Sequence, residues 1–235
     1  MPAGTGSEAM EITSILIQWG PYLLGGIGIT LGLVFSALAI GFLLGLPLAL
    51  GQVYGPRPVR AGVSAFVWFF RGLPILVLLF LFYFGVFPAL GLDFPAFFVG
   101  AAVLGLRGAA YQSQIFRGGI QSVSEGQMTA ALSLGMTRRT AVLCIILPQA
   151  LRISLPGWSN EYPEVLTDSA VCYAIGVMEL LTRTAQVVSL TYVTMPVYLV
   201  CALIFIALNY AGMYAIRRAE EHFAIPGFGT TAVQS

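Results

Sequence analysis

Arg107 is a charge set within an apolar run that extends from about Ala96 to Phe116. Placing an arginine at the centre of a membrane helix costs about 2.5 to 3.5 kcal/mol, so in such a helix it must face protein or water rather than lipid. At helical spacing Arg107, Tyr111, Gln114 and Gly118 share one stripe (i, i+4, i+7, i+11), a polar face on an otherwise apolar helix. Further along, Glu161, Glu164 and Asp168 fall at i, i+3 and i+7 and form an acidic stripe. Two chemistries are open to this set. An arginine–carboxylate pair can tie two helices together. Alternatively, the stripes line a cavity in which the cation holds a carboxylate and the anions hold an ammonium group. The stripes sum to one positive and three negative charges, so a bound zwitterion leaves negative charge over. A cationic ligand side chain would relieve that imbalance and an anionic one would worsen it.

The elements that must position these residues follow from composition. Of 235 residues, 58% are hydrophobic and 9% charged, where soluble domains carry about 25% charged residues. With a mean hydropathy of +0.88, a soluble enzyme is excluded and an all-α integral membrane protein is expected. The net charge of +1 offers no nucleic-acid footprint, and every basic residue other than the single histidine is arginine. Cys144, Cys172 and Cys201 lie far apart in apolar sequence, with no CxxC or Cys/His cluster, so no metal or redox site is expected. The acidic segment Met1–Glu11 lacks the basic start of a cleaved signal peptide.

Apolar runs predict one transmembrane domain over 1–235 with five helices, near 22–50, 72–91, 95–117, 153–172 and 194–216. Ala61–Phe70 reads as an interfacial helix rich in aromatic residues. Pro148, Pro156 and Pro163 are expected to kink the chain around the fourth span. Arg57, Arg60, Arg117, Arg138, Arg139, Arg217 and Arg218 fall on one side of this scheme, against Arg183 alone on the other. The positive-inside rule then puts the N-terminus outside and the C-terminus in the cytoplasm.

The cytoplasmic loop 122–148 carries strong local signals. Ser124 can cap a short helix with Gln127 reaching back to it, Gly135 can end that helix in a left-handed conformation, and Thr137 can cap the next. Met128, Ala131 and Leu132 give the short helix one apolar face, suited to the lipid surface or to a groove on a cytoplasmic partner.

Thr129, Ala130, Ala131, Gly135, then Ile145-Ile146-Leu147-Pro148 resembles the EAA loop of ABC importer permeases (E-A-A-x3-G-x9-I-x-L-P), with Thr129 in place of the glutamate. Phe70-Arg71-Gly72-Leu73-Pro74, Ala110-Tyr111, Phe116–Ile120, Leu147–Arg152, Asn160-Glu161, Asp168-Ser169 and Ile175–Val177 are similar to further motifs of the histidine/glutamine/polar-amino-acid permeases. Two departures stand out. Arg107 occupies a position where that family more often has asparagine, and Thr167 one where lysine commonly precedes the aspartate.

The resemblance implies a type I ABC importer permease in the cytoplasmic membrane. It would have five transmembrane helices, a short cytoplasmic coupling helix, and no catalysis, cofactor or metal of its own. Its implied partners are a second permease subunit (identical or paralogous), two ATP-binding subunits and an extracytoplasmic substrate-binding protein. No phosphate-binding loop exists in this chain to hydrolyse ATP itself. The expected substrate is a polar or basic amino acid. Arg107, Tyr111, Gln114, Glu161, Glu164 and Asp168 would line its path, and Thr129, Ala130, Ala131 and Gly135 would couple to the ATPase. Competing readings are a permease for another small solute, or a membrane-embedded enzyme using Glu161, Glu164 or Asp168 as acid or base, which lacks any nucleophile motif.

Overall fold

The computed structural model describes residues 5–223, so the first four residues of the acidic N-terminal segment lie outside it. Among the described residues the chain is helical throughout, without strands. The order is α1 (Thr5–Tyr54), α2 (Arg57–Gly72), α3 (Ile75–Ala89), α4 (Ala96–Ser122), α5 (Glu125–Ser133), α6 (Arg138–Ser159), α7 (Glu161–Ile175), α8 (Leu180–Thr191) and α9 (Thr194–Phe223). Two compact units emerge. One holds the chain up to Ala37, Pro74–Leu104 and Pro163–Ala211; the other holds Leu38–Leu73, Gly105–Tyr162 and the residues from Gly212 onward.

Three helices are long and apolar enough to cross a membrane: the Ile17–Tyr54 part of α1, α6, and the Thr194–Glu220 part of α9. The α2/α3 and α7/α8 pairs bring the number to five if each broken pair counts as one span. Their bounds differ from those of the apolar runs read from sequence. The expected run at 95–117 falls on α4 (Ala96–Ser122), whose apolar sequence is interrupted by polar residues, and the expected run at 153–172 is divided between α6 and α7. The polarity of α4 has a structural counterpart: Val99, Val103, Leu104, Ala109, Ala110, Gln112 and Ser113 are all buried within protein. Lipid is not their solvent.

The breaks within the α2/α3 and α7/α8 pairs have causes in the sequence. Leu73 precedes Pro74, whose ring pushes it into extended backbone (φ −104°, ψ 142°), so α2 ends at Gly72. Gly176 adopts φ +82° and closes α7, and the Glu179 carboxylate accepts from Thr182 N at 2.6 Å and Leu181 N at 2.7 Å to start α8. Pro88 and Pro148 do not break their helices. Each follows a π-helical turn (Leu81–Val86 and Val142–Ile146) that widens the backbone where proline removes a donor. Pro163 sits in the first turn of α7, where a missing N–H costs little.

In the first unit, the glycine face of α1 receives the start of α8. A Cβ on Gly26 would lie 2.8 Å from Leu180 Cα. Its apolar cluster is Leu23, Val187 and Val197. In the second unit, a Cβ on Gly45 would meet Ala109 O of α4 at 3.1 Å, and the core is Ala49, Phe116, Ile120, Ile146 and Ala150. Small residues bring these helices together without a side chain between them.

Candidate functional site

The polar stripe of α4 lies in the second unit, near the middle of a 27-residue helix. The Arg107 guanidinium carbon is 4.9 Å from the centre of the Tyr111 ring, one helical turn away. A second cation joins it: Arg71, in the last turn of α2, lies 4.7 Å from the same ring. The expected interfacial helix therefore reaches the middle of α4 with its final turn. Its Val63 and Phe70 are buried, while Trp68 is exposed.

Gln114 donates to Gln52 of α1 at 2.9 Å and to Ser113 at 3.1 Å, and Gln52 donates to Ser64 of α2 at 3.3 Å. This hydrogen-bonded chain anchors the α4 stripe to both neighbouring helices. Gln112 is fully buried beside the stripe. Its Oε1 accepts from Trp158 Nε1 at 2.8 Å, while its Nε2 has no hydrogen-bond partner. Neither Gln112 nor Gln52 was singled out from sequence, because each falls off the Arg107 spacing.

Glu161, Glu164 and Asp168 all lie on α7, as their spacing requires. Glu161 is buried and opens the helix, Glu164 is exposed, and Asp168 is half-buried. Two of these acids fall in the first turns, where the helix dipole favours negative charge. Glu161 belongs to the second unit, Glu164 and Asp168 to the first.

The loop helix α5 also lies in the second unit. Ser124 caps it, its hydroxyl accepting from Gly126 N at 3.3 Å rather than from the amide of Gln127, which bonds the Ser124 carbonyl at 3.0 Å. Gly135 adopts φ +80°, with Gly135 N to Leu132 O at 3.0 Å and Met136 N to Ala131 O at 3.1 Å, a Schellman ending. Thr137 caps α6 by accepting from Thr140 N at 3.3 Å. The apolar face is used within the chain: Ala131 is 1% exposed and Met128 packs on the Ile146 core. Thr129, Ala130 and Leu132 face outward, and Leu134 is 82% exposed beside Gly135.

Among the described residues no group of histidine, cysteine, aspartate or glutamate is arranged to hold a metal ion.

The chain is similar to known proteins over most of its length. The chain is 37% identical to a probable amino-acid ABC transporter permease of Bacillus subtilis, over 83% of this chain and 86% of that protein. It is 35% identical to the histidine/lysine/arginine/ornithine transport system permease HisM of Salmonella typhimurium, over 91% of this chain and 94% of that one. A crystal structure of an amino acid ABC transporter with histidines contains a chain superposing with a TM-score of 0.80 at 33% identity, over 88% of this chain and 96% of that one. Residues 37–224 match the family described as the binding-protein-dependent transport system inner membrane component. They take in the arginine-flanked Tyr111 and the Gly135 loop alike, and the chain belongs to that family.

Proposed function

We propose that this chain is the membrane-spanning subunit of an ATP-driven importer for a polar or basic amino acid. Relatives named for histidine, lysine, arginine and ornithine transport support the substrate class. The observation that carries the reading is Arg107 stacked on Tyr111 in the middle of α4, a long helix with many residues buried within protein. A cation there meets the requirement of a substrate carboxylate. The acids of α7, Glu161, Glu164 and Asp168, supply counter-charge for an ammonium group, and Gln114 adds neutral hydrogen bonding. Five spans form one transmembrane domain, with the N-terminus outside and the C-terminus in the cytoplasm, as the arginine distribution requires. A second permease subunit, identical or paralogous, completes the path. ATP hydrolysis belongs to two separate ATP-binding subunits, and an extracytoplasmic binding protein delivers the substrate.

Coupling to the ATP-binding subunits is assigned to the loop helix α5. Thr129 and Ala130 with Leu134 offer the contact surface. Ala131 holds the helix onto the core, and Gly135 sets its exit angle.

The test is uptake by the complete complex in vesicles, screened over the twenty amino acids. One or more polar or basic amino acids should be taken up in an ATP-dependent way. Arg107→Ala and Glu164→Gln should each lower uptake by about a hundredfold, while the complex still assembles. Uptake of no amino acid, or glutamate as the best substrate, would refute the substrate assignment.

A further inference from the structure

Arg71 was read from sequence only as part of the Phe70–Pro74 motif, yet it converges with Arg107 on one aromatic ring. Both guanidinium carbons lie within 5 Å of the Tyr111 centroid, so the two cations are within about 10 Å of each other, no more than a Debye length. Two like charges over one ring repel, and a membrane helix already pays a penalty for each of them. Arg71 has the ring as its partner, and no carboxylate pairs with it among the described residues. It sits in the last turn of α2 before Pro74, where the helix dipole favours a cation. Arg71 is exposed, and Tyr111 and Arg107 are half-buried.

We infer that Arg71 is a second specificity-determining cation, closing with Arg107 around the substrate carboxylate over the Tyr111 ring. This rests on the proposal that the α4 stripe lines the substrate path. The chemistry is recognition of an oxyanion by two guanidinium forks, each able to give paired N–H donors that an ammonium side chain cannot match. One cation would attract a carboxylate; two in fixed relation also discriminate it from a neutral group of the same shape, because removing the charge leaves both donors facing each other.

The experiment compares uptake of the best-transported amino acid with uptake of its own α-carboxamide by the complete complex. The binding protein is the same in every sample, so a change in the acid-to-amide ratio of kcat/KM belongs to this chain. Arg71→Gln should lower that ratio about tenfold, and Arg71→Lys, which keeps the charge but loses the paired donors, about threefold. Assembly with the ATP-binding subunits is checked by copurification. Arg71→Lys preserves the positive charge if the glutamine variant assembles poorly, and its ratio should then still fall measurably.

A ratio unchanged in both variants, with Arg107→Ala collapsing it, overturns the role of Arg71 and leaves the site standing. Ratios unchanged in the Arg71 variants and in Arg107→Ala alike remove the site itself. A lipid phosphate is the other oxyanion available. If the effect of Arg71→Gln disappears in vesicles of neutral phosphatidylcholine, the cation serves the lipid, and the inference is overturned. An effect of equal size with and without anionic lipid supports it.

Discussion

Each unit of this protein stacks arginine on tyrosine, and the stacks on Tyr22 and on Tyr111 are finished differently. In the first unit Arg183 lies 4.8 Å from the centre of the Tyr22 ring, and its donors are spent on the chain itself. One terminal nitrogen donates to Tyr22 O at 2.9 Å and Nε donates to Met178 O at 3.1 Å. The Tyr22 hydroxyl is hydrogen-bonded to Gln186, and the space for the guanidinium exists because residue 25 is glycine, where a Cβ would lie 2.7 Å from that nitrogen. In the second unit two arginines share Tyr111, and Arg71 donates to no backbone carbonyl among the described residues. A charge in apolar sequence therefore does not by itself mark a binding site. Where its N–H groups go decides whether it is a strut or a receptor.

The largest effect that would break this contrast is on stability. Gly26→Val puts a branched side chain where Leu180 Cα stands 2.8 Å from the first added carbon, and backbone cannot yield as a flexible side chain does. The start of α8, which carries Arg183, must move off α1. We expect a loss of about 3 kcal/mol, read as a fall in the thermal midpoint of the purified complex. An unchanged midpoint would mean that the first unit is not held by this close approach.

Arg183→Ala should cost less, about 2 kcal/mol for two lost charge-assisted hydrogen bonds, with Tyr22 O and Met178 O left to find other donors. The acid-to-amide uptake ratio should stay at the wild-type value. Arg71→Gln is expected to do the reverse, leaving the midpoint within about 0.5 kcal/mol of wild type while the ratio falls. A changed ratio in Arg183→Ala would erase the distinction between the two stacks.

Legibility from sequence followed the range of the interaction. The Ser124 and Thr137 caps and the Gly135 turn depend on neighbours within a few residues, and all three residues adopt the conformations read for them. Only the capping partner differs, Gly126 in place of Gln127. Arg107 stood out because a charge inside an apolar run is improbable, and its spacing led directly to Tyr111. Arg71 was not seen as a site residue because it lies at the edge of its run, and its approach to Tyr111 depends on where α2 ends. Hydropathy also draws different boundaries from the helices between residues 138 and 191. The run read as one span at 153–172 contains the break at Asn160, and the apolar helix α6 begins fifteen residues earlier in the loop sequence, at Arg138. Helix α4 inverts the usual signal, since its polar residues are solvated by neighbouring helices rather than by water. No window average reports such a solvent.

A matched pair of turns, one in each unit, makes the sharpest functional comparison. Gly135 in the second unit and Gly176 in the first end their helices with nearly the same backbone, φ +80° and +82°. The bonds match as well: Gly176 N to Tyr173 O at 3.0 Å and Val177 N to Cys172 O at 3.2 Å repeat those at Gly135. Valine at either position forces a branched side chain into the left-handed region, at a cost of about 1 to 2 kcal/mol. The flanking residues differ. Ile175 and Val177 are buried, whereas Leu134 is 82% exposed next to Gly135. A turn that relaxes at Gly176 disturbs internal packing alone; one that relaxes at Gly135 re-aims the outward residues of α5. Gly135→Val and Gly176→Val should thus lower the thermal midpoint alike. Only Gly135→Val should separate ATP hydrolysis from uptake, with ATPase activity retained and transport per ATP reduced about tenfold. Equal transport per ATP in the two variants would show that α5 is a surface helix without a coupling role.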